Sequence, residues 1–180
     1  MGTFMSYEDN KIPGWMSIED LQWLHEMATK MKHIVEIGSW AGRSTHALLT
    51  GCSKGLVSAV DTWDQSTMEG LGDAANARFL FHKNLRKFDN LNIMEMTSIE
   101  AAKKFKKKSV DMVFIDGLHD EKNFSADVEA WLPIAKKIIC GHDFSVNWPD
   151  VQKVVRQKFG HVYQVAHEIW YVDLTTIKGM

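Results

Sequence analysis

Asp116 and His119 follow the apolar run 110–115, and His142 and Asp143 follow the apolar run 138–140. Two carboxylates and two imidazoles of this kind can do one of two things. They can hold a divalent cation, or they can move a proton, since an imidazole changes charge near neutral pH. Either use requires the four side chains to meet. If the two runs are neighbouring parallel strands, about 4.8 Å apart, their carboxyl ends bring the side chains together. Loop-capping acids and solvated histidines are the alternative that the residues alone leave open.

A second group lies earlier in the chain. In Val35-Glu-Ile-Gly-Ser-Trp-Ala-Gly-Arg-Ser-Thr45 an apolar strand carries Glu36 near its end, turns on Gly38 and Gly42, and opens a helix. Glycines permit a sharp turn and let a ligand approach the backbone closely. The spacing is Gly-x-x-x-Gly, whereas the turn that cradles a dinucleotide pyrophosphate is Gly-x-Gly-x-x-Gly. A nicotinamide-dependent oxidoreductase is disfavoured on that ground. Asp61 stands 25 residues after Glu36, at the end of the next apolar run, where an acid can accept both hydroxyls of a ribose. The two acids in this register point to a nucleoside, with loop capping as the blander reading of either one alone.

The elements that must position these groups are legible in outline. Short runs rich in β-branched residues alternate with amphipathic stretches, the pattern of a parallel sheet flanked by helices. Ser17-Ile-Glu-Asp20 resembles a capping box with Asp in place of Glu, and Leu21, Leu24, Met27, Ala28 and Met31 then recur at helical spacing. Strands are expected over 33–37, 56–60, 92–96, 110–115 and 138–140, and helices over 43–50, 74–88, 124–132 and 150–159. The run 110–115 is apolar apart from Asp111, which places it in the centre of the sheet. Runs 162–166 and 169–174 are separated only by His167-Glu168, too short a link for a parallel crossover, so they form an antiparallel hairpin. The segment 64–73, with Gly70 and Gly72, reads as a mobile loop, and residues 1–13 as a loosely ordered start to a single domain over 1–180.

Three stretches taken together resemble the class I S-adenosylmethionine-dependent methyltransferases, and within them the branch that includes small-molecule and sugar O-methyltransferases. They are Glu36-Ile-Gly-Ser-Trp-Ala-Gly-Arg-Ser-Thr45, Phe114-Ile-Asp-Gly-Leu-His119 and Gly141-His-Asp143, and the resemblance runs over about 14–174. It implies an α/β fold: a Rossmann-like three-layer sandwich with a mostly parallel seven-stranded sheet and an antiparallel C-terminal hairpin. It also implies a division of labour. Gly38, Ser39 and Gly42 would line the methionine part of the cofactor with Glu36 beneath it, and Asp61 would bind the ribose. Trp63 would stack near the adenine and Ser98 would face its edge, with Asp116 also beside the cofactor. Asp116 and Asp143 stand where the metal-dependent relatives carry cation-binding carboxylates, and His119 stands where some of them carry the catalytic base.

Position 142 departs from that pattern, being His where the relatives commonly have an acid or an amide. Mg²⁺ prefers oxygen ligands, while imidazole suits Mn²⁺, Fe²⁺ or Zn²⁺. Three outcomes stay open: a softer cation at Asp116, His142 and Asp143; a His142 that points elsewhere, or serves catalysis directly; or a metal-independent enzyme with His119 as base. A nucleoside-binding module without chemistry is the nonenzymatic rival.

Bulk properties narrow the partners. The 180 residues carry 21 Lys and Arg against 23 Asp and Glu, a balance that argues against coating nucleic acid or an anionic membrane. The one basic run, Lys103–Lys108, reads as a solvated helix end. No apolar stretch of about 18 residues is present, and the first residues lack the pattern of a secretory signal, so a cytoplasmic protein with a small-molecule acceptor is expected. Cys52 and Cys140 read as reduced, buried thiols. A homo-oligomer is left open. Trp15, Trp40, Trp63 and Trp148 fall in or beside the loops of the proposed active face, where they would either stack on an acceptor or anchor the core.

Overall fold

The computed structural model describes residues 11–64 and 74–177. Seven strands form one sheet in the order β3-β2-β1-β4-β5-β7-β6. The strands are β1 (His33–Ile37), β2 (Leu56–Asp61), β3 (Leu91–Glu95), β4 (Val110–Ile115), β5 (Ala135–Gly141), β6 (Gln164–Ala166) and β7 (Ile169–Asp173). The first five run parallel, while β7 pairs antiparallel with both β5 and β6. The fold is therefore the Rossmann-like three-layer arrangement with an antiparallel C-terminal hairpin.

Alternation along each strand sorts side chains between the two faces. Ile34, Met112, Phe114 and Cys140 join one core with α1 (Ile18–Ala28), α2 (Arg43–Gly51) and α3 (Ala74–Leu85). Val35, Ile37, Val113, Ile115 and Ile139 join the other with α4 (Ser98–Ala102), α5 (Glu121–Trp131) and α6 (Pro149–Phe159). Strand β4 is buried along its whole length, as its apolar composition requires of a central strand covered on both faces. Asp111 is accommodated there because its carboxylate accepts the Lys32 N–H and pairs with Lys137 at 3.2 Å.

Register sets the level at which functional groups emerge. Ile37 lies opposite Ile115, and Ile115 opposite Gly141. The residues that follow, Gly38, Asp116 and His142, therefore leave the sheet side by side. The Asp116 N–H donates to Ile37 O at 2.8 Å, and the His142 N–H to Ile115 O at 3.2 Å. The chain connects β1 to β2 on one side and β4 to β5 on the other, so the loops after β1 and β4 part and open a crevice between them.

Several element ends differ from the sequence reading. Helix α3 stops at Leu85 rather than 88, and α5 begins at Glu121 because Asp120 caps it by accepting the Asn123 N–H. Strand β5 reaches back to Ala135, extended by its pairing with β4. The basic run lies beyond α4, which ends at Ala102 after a capping box between Thr97 and Glu100. The loop expected over 64–73 lies outside the described residues except for Asp64, as do residues 1–10 of the N-terminal segment. Ile12 is buried, and the Arg43 guanidinium donates to its carbonyl at 2.7 Å. Among the described residues no helix is long and apolar enough to cross a membrane.

Candidate active site

The turn after β1 is built around two glycines. Gly38 has φ +82°, and a Cβ there would sit 2.0 Å from the Asp116 carbonyl oxygen. Gly42, with φ +88°, would push a Cβ into Leu85 and Phe81, and it caps the start of α2. Asp61, ending β2, braces this turn. One of its oxygens accepts the N–H groups of Ser39 and Trp40, both at 2.9 Å, and the other accepts the Trp63 N–H at 2.8 Å. A carboxylate offers about four acceptor positions, so roughly one is left for a ligand.

Glu36 is fully buried beneath the turn. Its Oε2 accepts the hydroxyls of Ser39, at 2.8 Å, and of Thr45, while Oε1 lacks a well-formed hydrogen bond although the Ser44 hydroxyl lies near enough to act on the carboxyl. Burial pushes its carboxyl up from 4.5 to about 7, against the pull of the Ser44, Thr45 and Ser39 hydroxyls. A buried, unpaired carboxylate oxygen is costly and calls for a donor.

The second group gathers where the register places it. His142 Nδ1 lies 3.2 Å from Asp143 Oδ1 and 3.9 Å from Asp116 Oδ1. Asp116, His142 and Asp143 each offer a ligand atom, all within 4.8 Å of one another. His119 Nε2 is 2.6 Å from Asp143 Oδ2 and 3.6 Å from Asp116 Oδ1, and its ring lies 4.4 Å from that of Trp148. The short contact to Asp143 is an ion pair. Burial alone would lower both histidines. The carboxylates of Asp116 and Asp143 outweigh it and hold His119 at about 9. His142, which also faces Asp20, is held at about 11. Asp143 lies well below the ordinary carboxylate range: burial opposes its ionisation, but both imidazoles favour it. Asp143 and Trp40 take left-handed backbone conformations, φ 59° and 39°, a cost found where a site over-determines the chain.

A cavity of about 380 Å³ joins the two groups. Of the residues expected in the site, Gly38, Ser39, Asp116, His119, His142 and Asp143 line it. Its walls also carry Trp15, Trp40, Ser44, Ser145 and Trp148, which sequence reasoning did not assign to particular contacts. The indole N–H of Trp40 and the hydroxyl of Ser145 are buried there without partners. Glu36, Gly42 and Asp61 support the turn from behind.

Two residues expected near the cofactor also have partners within the fold. Trp63 is buried against Phe81 and donates its indole N–H to the Trp40 carbonyl at 2.9 Å, so it packs as a core anchor away from the cavity wall. Ser98 accepts the Trp131 indole N–H at 2.9 Å, which ties its hydroxyl to α5. In both cases an aromatic ring needed a partner for its N–H once buried, a demand that sequence position does not reveal. Asp20 was read only as a helix-start acid, yet it is buried and reaches His142, 122 residues away.

Comparison with known proteins is consistent with this geometry. Residues 35–144 match the family model described as a methyltransferase domain. An uncharacterized protein of Sinorhizobium fredii is 28% identical over 126 residues, which are 66% of this chain but only 14% of that protein. An O-methyltransferase from Bacillus cereus, solved in complex with SAH, superposes with a TM-score of 0.62 at 19% identity, covering 90% of this chain and 84% of its own. An SAH-bound methyltransferase from Podospora anserina gives 0.65 at 15% identity, covering 87% and 78%. At these identities the structural likeness speaks for the fold.

Proposed function

Because the chain belongs to the methyltransferase-domain family, we propose that it moves a methyl group from S-adenosylmethionine to a hydroxyl of a small acceptor, a sugar or an aromatic ring. A divalent cation at Asp116, His142 and Asp143 completes the reading. The observation that carries it is one cavity lined both by Gly38 and Ser39 of the glycine turn and by the acid–imidazole cluster. When bound, the cofactor supplies an electrophilic methyl and the cation a Lewis acid that acidifies the hydroxyl.

The residues present fit such groups. Glu36, buried beneath the turn with an Oε1 that makes no well-formed hydrogen bond, supplies negative charge behind the place where the ammonium of a methionine moiety would sit. Asp61 keeps about one acceptor position for a ribose hydroxyl. Trp15, tilted against Trp40 with ring centroids 4.6 Å apart, and Trp148, tilted against His119, line the cavity with apolar rings suited to an acceptor ring. The hydroxyl's proton passes to His119 Nε2, which must be neutral to take it. In the absence of a cation the carboxylates keep that imidazole protonated until about pH 9. Positive charge held by Asp116 and Asp143 cancels their pull and lowers it toward neutrality. This favours a cation-assisted reaction over His119 acting alone.

Calorimetry with S-adenosylhomocysteine, followed by turnover of labelled S-adenosylmethionine on a panel of phenols, catechols and sugars, tests the reading. Binding of the sulfur nucleoside and transfer to at least one acceptor are expected. Tight binding of NAD with neither sulfur nucleoside bound would overturn the cofactor assignment, and full turnover in EDTA would overturn the cation.

A further inference from the structure

Asp20, on the first turn of α1, is only 2% exposed although it is an acid. Ser17 caps the helix by accepting the Asp20 N–H at 3.1 Å, and donates its own hydroxyl to Asp20 Oδ2. The carboxylate then faces inward. Its Oδ1 accepts the Glu168 N–H at 3.2 Å, and its Oδ2 lies 3.4 Å from His142 Nε2. His142 is itself buried, with its other nitrogen turned to Asp143 and Asp116. The imidazole is thus held between a carboxylate on one side and the candidate cation ligands on the other.

We propose that Asp20 is a positioning residue for the cation site: by accepting the Nε2 proton of His142 it keeps the Nδ1 lone pair directed at Asp116 and Asp143. The inference rests on the cation-assisted reading above and specifies its ligand chemistry, one imidazole nitrogen with two carboxylates. A histidine that gives its second N–H to a carboxylate is fixed in tautomer and orientation and becomes a better ligand. Without Asp20 that N–H would be buried with nothing to receive it. A nitrogen ligand held this way favours Mn²⁺ or Fe²⁺ over Mg²⁺. In the cation-free protein a proton on Nδ1 sits between the same carboxylates, which is why His142 is so strongly basic.

The test is Mn²⁺ binding by the full chain, read by electron paramagnetic resonance of the free ion, for wild type and Asp20→Asn. The substitution should weaken Mn²⁺ about 10–100-fold, change Mg²⁺ less, and leave S-adenosylhomocysteine affinity near wild type. Equal Mn²⁺ affinity in both proteins would overturn the role of Asp20 alone. Failure of the wild type to bind Mn²⁺ would overturn the cation reading and this inference with it. Parallel losses of Mn²⁺ affinity, nucleoside affinity and thermal stability would assign Asp20 to the fold and overturn the positioning role. If Asp20→Asn does not fold, ¹⁵N spectra of Zn²⁺-loaded wild type decide: a proton on His142 Nε2 supports the proposal, and one on Nδ1 overturns it.

Discussion

Asp61 holds Trp40 by its main chain: the carboxylate that ends β2 accepts the Trp40 N–H at 2.9 Å, tying the turn after β1 to the neighbouring strand. The same carboxylate takes two further N–H groups, from Ser39 and Trp63. Asp61→Ala should therefore loosen the turn as well as remove the proposed ribose contact. Each hydrogen bond to a charged acceptor contributes about 1.5–3 kcal/mol, so the nucleoside affinity should fall at least about tenfold. Differential scanning calorimetry should show a lower melting temperature in the absence of ligand. Lost affinity at an unchanged melting temperature would reduce Asp61 to a ligand contact.

Glu36 makes stability depend on pH. Its folded carboxyl titrates at about 7 against an ordinary 4.5, because burial disfavours the charge. The unfolded chain therefore releases this proton first as pH rises. The contribution of Glu36 is fully present below about 4.5 and lost by about 7, with no further change above. Denaturant titrations of wild type and Glu36→Gln should diverge in slope across that window. Parallel curves would mean that the carboxylate finds a partner in the folded protein.

Removal of divalent cation should stop turnover while S-adenosylhomocysteine still binds, since the cation would be held by Asp116, His142 and Asp143 and not by the glycine turn. Asp143→Asn should weaken Mn²⁺ binding and leave nucleoside binding nearly intact. Calorimetry that finds both lost together would mean the two groups do not act separately.

His119→Ala should slow transfer by about 10²–10⁴-fold with little change in nucleoside affinity. In wild type, kcat/KM should rise with pH as the imidazole loses its proton. At the lowest Mn²⁺ that sustains turnover the midpoint should lie highest, drawn toward the value of about 9 at which Asp116 and Asp143 hold the cation-free group. Saturating Mn²⁺ should move the midpoint down. A profile that ignores cation concentration would detach His119 from the carboxylates as a base.

The sequence displayed what depends on local pattern. Strand β4 was readable because a run buried on both faces must be apolar throughout, and the hairpin because two residues between strands leave no room for a crossover. Asp116, His119, His142 and Asp143 were found together because parallel strands deliver their ends to one edge. The partners of Trp63 and Ser98 are not legible in the sequence because each answers a demand from elsewhere in the fold. Trp63 gives its N–H to Trp40, and Ser98 receives that of Trp131. Asp20 gave no long-range signal at all. At a helix start an acid satisfies a local rule, and its inward turn toward His142 follows only from the packing of α1 against the rest of the chain.

The Asp20 carboxylate also receives the Glu168 N–H, a closure across 148 residues of chain. Contacts of such separation close a large loop and are expected late in folding, since their entropy cost precedes any reward. A chain emerging from the ribosome could build β1, the glycine turn and even β4 while the pocket remained unfinished. Competence would arrive only when the C-terminal hairpin docked beside the first helix, so hydrogen exchange at Glu168 should report the moment at which the catalyst becomes whole.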